Sequence, residues 1–209
     1  MSIAAIKALI DSAIAHEQRS GELRAHFSGQ LGALRESLVL PPENPLQALV
    51  EFTQRYILYV PDFLESLHKK QSESTLAFFG PFLNMAEDFF LAPPQPLQDD
   101  HGLQALLDEA FLAQRLLEEM NDRHIRLQRS QLMPVDMTRA NIIVHHLLGD
   151  ELANQLDAIV AQSIHAMIDR QRFGSQDNGI DPLAAVLECP LPLPCMSRDV
   201  AIDLRLAEH

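Results

Sequence analysis

Apolar residues recur three and four positions apart through most of the first 173 residues, and this spacing constrains the fold more than any other feature. Such a period places the apolar side chains on one face of a helix, and glycine and proline fall mainly between the periodic segments. The pattern predicts an all-α fold, a bundle of six or seven helices.

Glycine and proline also predict where helices begin and end. We expect Ser20 and Gly21 to bend or break the first helix, and Asn44 to cap the second helix, with Pro45 at its first position. Pro61 lies within that second apolar pattern and is expected to kink the helix or restart it.

A phenylalanine-rich segment follows from Ser74 to Leu91 and holds five of the ten phenylalanines. Pro81 interrupts it, and a bent helix can leave a gap that an acyl chain or an aromatic ligand would fill. Phe79, Phe82 and Phe111 are therefore candidates to line either a shared core or a ligand pocket.

The composition changes after residue 173, which divides the chain into a helical bundle domain (1–173) and a proline-containing extension (174–209). Near its end, apolar Val200, Ile202, Leu204 and Leu206 alternate with other residues, a period-2 pattern typical of a half-buried strand. Residues 198–207 could therefore form a strand or a short helix. A strand needs a partner, and a two-fold related copy of the chain could supply it.

The charge balance excludes several classes of partner. The chain has 16 Lys and Arg against 29 Asp and Glu, a net charge of −13, so we expect neither nucleic acid nor an anionic membrane surface to bind it. No uncharged run approaches the roughly 20 residues that span a bilayer. Asp11 interrupts the apolar N-terminus, which has no basic region and is expected to form an amphipathic helix, not a signal peptide. Cys189 and Cys195 are too few for a disulfide framework, which favours a cytoplasmic location.

Catalytic motifs are mostly absent from the sequence. It contains no G-x-S-x-G, Walker A, G-x-G-x-x-G or H-E-x-x-H pattern, and Glu65 with His68 is a single, weak match to the Glu-x-x-His spacing of di-iron bundles. Acids and bases at residues 115–126 read as an exposed helix face with i, i+4 salt pairs. His124 falls on the apolar stripe of that helix, where it could be a core or interface histidine or have a ligand-binding or proton-transfer role.

A second group of polar residues lies within an apolar helix, predicted from Met137 to Leu148 and buried at the centre of the bundle. Thr138, Asn141 and His145 share one of its faces, where they could fix helix register, line a small-molecule pocket or form a metal or catalytic site. Arg139 points elsewhere and could pair with Glu118, Asp122 or a carboxylate ligand. Asp136 is the expected N-cap.

A metal site at these histidines is the weakest of the possibilities. His145 and His146 point about 100° apart on a helix and cannot chelate one ion together. His165 and Asp169, one turn apart on the last helix, could join His145 only if the two helices cross at that level.

These observations favour a non-catalytic cytoplasmic helical protein that binds a protein partner or an apolar small molecule, forms a homodimer and uses no cofactor. A regulatory role is compatible with such binding. Candidate ligand-binding residues are His124, Arg139, Asn141, His145, Phe79, Phe82 and Phe111. The alternative is a metal-dependent or histidine-based enzyme with its site in the bundle interior. Its residues would be His124, His145 and His165 together with Glu118, Asp122 or Asp169. Among these, His145, His165 and Asp169 are the candidate metal ligands.

Overall fold

The chain folds as an all-α bundle with a two-stranded sheet, as its periodicity predicts. The computed structural model describes residues 2–70, 73–94, 102–129, 137–174 and 201–205. Within these ranges it contains seven helices: α1 (Ser2–Ser20), α2 (Glu22–Ser37), α3 (Pro45–Lys70), α4 (Glu73–Leu91), α5 (Gly102–Gln128), α6 (Thr138–Leu148) and α7 (Asp150–Gly174). The strands are β1 (Leu38–Val39) and β2 (Asp203–Leu204).

Gly21 breaks the first apolar segment into two helices. Its φ of 65° lies in the left-handed region, which glycine adopts without steric cost. The side chain of Glu17, near the end of α1, then accepts hydrogen bonds from the backbone N–H groups of Leu23 (2.8 Å) and Arg24 (3.1 Å). Glu17 is buried because it satisfies two free donors at the start of α2.

Two prolines that the sequence marked as interruptions lie inside continuous helices. Helix α3 begins at Pro45, as expected, and passes through Pro61, and α4 passes through Pro81. A proline inside a helix costs about 3 kcal/mol, but Phe63 and Leu64, two and three residues after Pro61, are fully buried. Burial of two large apolar side chains contributes about 3–6 kcal/mol, which offsets the cost of the proline.

The central helix is α5, and the expectation that α6 lies at the centre was wrong. Helix α5 packs against α1, α3, α4, α6 and α7, and nearly every side chain from Leu103 to Asn121 is buried. Helix α6 packs against α2, α5, α7 and β2 but leaves Ile142 41% exposed. The apolar residues on different sides of α6 contact different neighbouring elements, so they do not indicate that the helix lies at the centre of the bundle. Met137 stands at its N-cap position without a side-chain cap, and Asp136 is outside the described residues.

The strand near the C-terminus finds its partner within the same chain. Strands β1 and β2 pair antiparallel, with Leu38 opposite Leu204 and Val39 opposite Asp203. Ile202, beside β2, is 1% exposed, so the strand is held by an apolar side chain as well as by backbone hydrogen bonds. A second copy of the chain, which the sequence left open as the source of the partner strand, does not supply it for Asp203–Leu204. The proline-rich segment, residues 175–200, lies outside the described residues.

The described part of the chain contains no candidate membrane-spanning helix. None of the helices there is both long enough and apolar enough to cross a membrane. Helix α5, at 27 residues the longest, carries several acidic residues along its length.

Candidate functional site

The polar stripe predicted on α6 is divided among different surroundings. Asn141 is buried, Thr138 is exposed, and His145 is partly exposed where α6 meets α7. There the Nδ1 atom of His145 lies 3.5 Å from Oδ1 of Asp150. The three side chains therefore do not line one common pocket.

Asn141 belongs to a buried hydrogen-bond network that joins four helices. Its Oδ1 accepts a hydrogen bond of 2.7 Å from the hydroxyl of Tyr56 on α3, and its Nδ2 donates one of 2.5 Å to Glu118 on α5. Arg115, also on α5, donates to Glu118 and, over 2.8 Å, to Asp157 on α7. These five side chains are called the Tyr56 network below.

The groups of the Tyr56 network stabilise one another's protonation states. Burial raises the pKa of Tyr56 well above its ordinary value, and the neighbouring Glu118 carboxylate raises it further. Burial lowers the pKa of Arg115, but hydrogen bonds and charges of Asp157 and Glu118 outweigh this and raise it overall. Each polar group has a partner, so the network fits the role of fixing helix register.

Arg139 and Glu118 do not form the pair that the sequence suggested. Arg139 forms a salt bridge with Asp203 on β2, and Glu118 is occupied by Asn141 and Arg115. The interpretation of residues 115–126 as an exposed face was also wrong in its first half. Glu118 and Asn121 are buried, because α5 has helices on almost every side.

The remaining candidate residues are spread over the bundle. Phe82 and Phe111 are buried in the hydrophobic core, and His165 is exposed, with Nδ1 3.0 Å from the carbonyl oxygen of Ala161. The side chains of Phe79, His124, His68 and Asp169 lie outside the described residues, and Glu65 accepts a hydrogen bond from Lys7. Among the described side chains, no three His, Cys, Asp or Glu residues form a group that could hold a metal ion.

A cavity of about 440 Å³ lies between α1, the start of α2, the end of α4 and the start of α5. Its volume is in the range of small-molecule sites, roughly 300–1,000 Å³. Most of its wall is apolar and comes from three helices: Leu9, Ala13, Phe90, Ala105 and Leu106. This part of the wall suits the hydrocarbon portion of a ligand.

In the part of the wall that the structure describes, a few polar groups from three helices converge on this cavity. Ser12 and His16 come from α1, Glu22 from α2 and Glu109 from α5. The Nε2 atom of His16 lies 3.2 Å from Oε2 of Glu22, and both side chains are about half exposed or more. Glu109 differs from them, since it is only 6% exposed.

Glu109 is a buried carboxyl group with an unsatisfied oxygen. Its Oε2 has no hydrogen-bond partner among the described residues. Burial, followed by the charge of the adjacent Asp108, raises its pKa from 4.5 to about 8. A carboxyl group that is mainly protonated at neutral pH, in the wall of a cavity, is the kind of perturbed group that ligand-binding sites contain.

Sequence reasoning missed Glu109, although the sequence carried a signal. Asp108 and Glu109 are the only charged residues in the stretch LQALLDEAFLA, which is apolar on every side of a helix. A helix of that kind is buried all round, so at least one of the two acids must enter the interior. Helical periodicity identifies only the residues of the apolar stripe, and Asp108 and Glu109 lie outside that stripe.

Comparison with models of known protein families, with curated proteins and with solved structures finds no match to this chain. The candidate site is therefore defined by its own geometry: a mainly apolar cavity of about 440 Å³ with the buried Glu109 in its wall.

Proposed function

We propose that this protein is a non-catalytic binding protein that holds a small, mainly apolar molecule in the cavity between α1, α2, α4 and α5. The observation that carries the proposal is the wall of that cavity. Five apolar side chains from three helices line it, and a few polar groups converge on it, as in small-molecule sites generally.

The cavity favours a small molecule over the other ligand considered from the sequence, a protein partner. A protein interface is usually a broad surface of roughly 800 Å² on each side, whereas this site is a concave volume of about 440 Å³. The cytoplasmic location and the homodimer expected from the sequence stay part of the proposal. Light scattering of the purified protein would measure its oligomeric state.

The proposal is tested by calorimetric titration with 2-phenylethanol, a neutral molecule with an aromatic ring and one hydroxyl. We expect a dissociation constant in about the millimolar range, because few atoms are buried. Ala105 lines the cavity and is 5% exposed, so Ala105→Leu fills part of the space a ligand would occupy. This variant should weaken binding about tenfold or more.

Ala158→Leu is the matched control, because Ala158 lies on an exposed face of α7, away from the cavity. It adds the same three carbon atoms without changing the site and should leave the dissociation constant unchanged. Equal binding by both variants and the original chain would place the ligand elsewhere and overturn the proposal. Circular dichroism melts of both variants check that each is folded.

A further inference from the structure

We propose that the ligand of this cavity carries a cationic amine, and that the Glu109 carboxylate is its counter-charge. This inference deepens the proposed function and rests on it. It adds the chemical class of the ligand: an apolar body with a protonated amine.

The position of Glu109 is the first argument. Its side chain lines the cavity, is 6% exposed and has an oxygen without a hydrogen-bond partner among the described residues. A buried polar atom without a partner is costly, and an ammonium group supplies the donors that it lacks. The apolar residues of the wall, among them Leu9 and Leu106, would hold the rest of the molecule.

The charges around the cavity are the second argument. Among the described residues, the ionisable side chains that line it are Glu109, Glu22 and His16, and His16 is paired with Glu22. Asp108, next to Glu109 on α5, adds a further negative charge that acts on it. Acidic groups therefore exceed basic ones, which favours a cation and repels an anion.

Binding of a cation must be linked to a proton. Because burial and Asp108 raise the pKa of Glu109 to about 8, the free protein holds a proton there at neutral pH. An ammonium ion favours the carboxylate, so the proton leaves Glu109 for solvent as the ion pair forms. Affinity should then rise about tenfold per pH unit between pH 5.5 and 7.5 and level off above 8.

The test compares 2-phenylethylamine with 2-phenylethanol, which have the same ring and chain and differ in their polar group. At pH 7.5 the amine should bind about tenfold tighter or more. Titrations in buffers of different ionisation enthalpy should detect the release of nearly one proton per amine bound at pH 7. The alcohol should bind without proton release.

Three variants assign the effect to one carboxyl group. Glu109→Gln keeps the size of the side chain and removes its charge, so it should weaken amine binding about tenfold or more and abolish proton release. Glu22→Gln is the matched control, because Glu22 also lines the cavity but its side chain is 68% exposed and screened by solvent. Glu22→Gln and His16→Gln should each retain the pH dependence.

The possible outcomes distinguish a failure of this inference from a failure of the proposed function. If 2-phenylethanol binds and is blocked by Ala105→Leu, but the amine binds no tighter or releases no proton, the cationic ligand is wrong and the cavity remains a binding site. If neither compound binds, the proposed function fails first. Amine binding that survives in Glu109→Gln with its pH dependence would also overturn the inference.

Discussion

At the scale of single residues, Glu109 makes the stability of the fold depend on pH even without a ligand. Its pKa is about 8 in the folded protein against an ordinary value of 4.5, so the folded state favours the protonated form. The resulting stabilisation is complete below pH 4.5 and is lost as pH rises towards 8. Glu109 therefore opposes folding in mildly alkaline solution.

Glu109→Gln should remove this pH dependence. We expect the free energy of unfolding of the variant to match that of the original chain near pH 5 and to exceed it by on the order of 3 kcal/mol at pH 8.5. Urea denaturation at the two pH values measures both. The exposed Glu22→Gln serves as the control, and parallel pH profiles for Glu109→Gln and the original chain would contradict the assignment.

Glu17 is a second acid whose burial has a structural cause, since it caps α2 across the break at Gly21. Glu17→Ala leaves the N–H groups of Leu23 and Arg24 without their acceptor and should lower the free energy of unfolding by about 1–2 kcal/mol. Glu36→Ala, an exposed position on α2, should change it by less than about 0.5 kcal/mol. Equal effects in the same denaturation measurement would show that Glu17 is not the cap.

At the scale of helices and strands, the Tyr56 network ties α3 to α6 through Asn141. Asn141→Ala deprives both the Tyr56 hydroxyl and Glu118 of a partner in the interior and should cost about 2–3 kcal/mol. Tyr56→Phe removes one hydrogen bond and should cost about 1 kcal/mol. Because the two residues share that bond, the double variant should cost measurably less than the sum, and strict additivity in unfolding experiments would refute the coupling.

We expect Ile202 to stabilise strand β2 on the bundle more than the salt bridge between Asp203 and Arg139 does. Ile202→Ala removes a side chain that is 1% exposed and should lower stability by about 2–4 kcal/mol. Asp203→Asn removes the charge that pairs with Arg139, but at 57% side-chain exposure it should cost less than about 0.5 kcal/mol. Thermal unfolding compares them, and a larger effect of Asp203→Asn would reverse this ranking.

The positions of the helix ends could be predicted from local chemistry, and their neighbours could not. Gly21 and Pro45 mark boundaries through their own backbone preferences: Gly21 adopts the left-handed conformation without steric cost, and Pro45 has a fixed φ that suits the first position of a helix. Pro61 and Pro81 did not break their helices, because burial of the apolar residues that follow each proline offsets its cost. Which of α5 and α6 is central depends on how helices pack, which periodicity does not specify.

At the scale of the whole molecule, the helical fold follows from patterns that each segment carries by itself. The candidate cavity does not, because its wall joins side chains from Leu9 to Glu109, which come together only when α1, α2, α4 and α5 pack. Polar residues that share one face of a single helix, as on α6, are recognisable in the sequence, whereas residues that meet from different helices are not. The sequence could have indicated that an acid is buried near residue 109, but not the space beside it.

The central claim is that this cavity binds a small apolar molecule, and nuclear magnetic resonance of the labelled protein tests it most directly. On titration with 2-phenylethanol, we predict that the signals of Leu9, Ala13, Ala105 and Leu106 shift together and saturate, while those of Tyr56 and Asn141 stay in place. Signals that remain fixed at all four cavity residues, or that shift mainly around the Tyr56 network, would contradict the account.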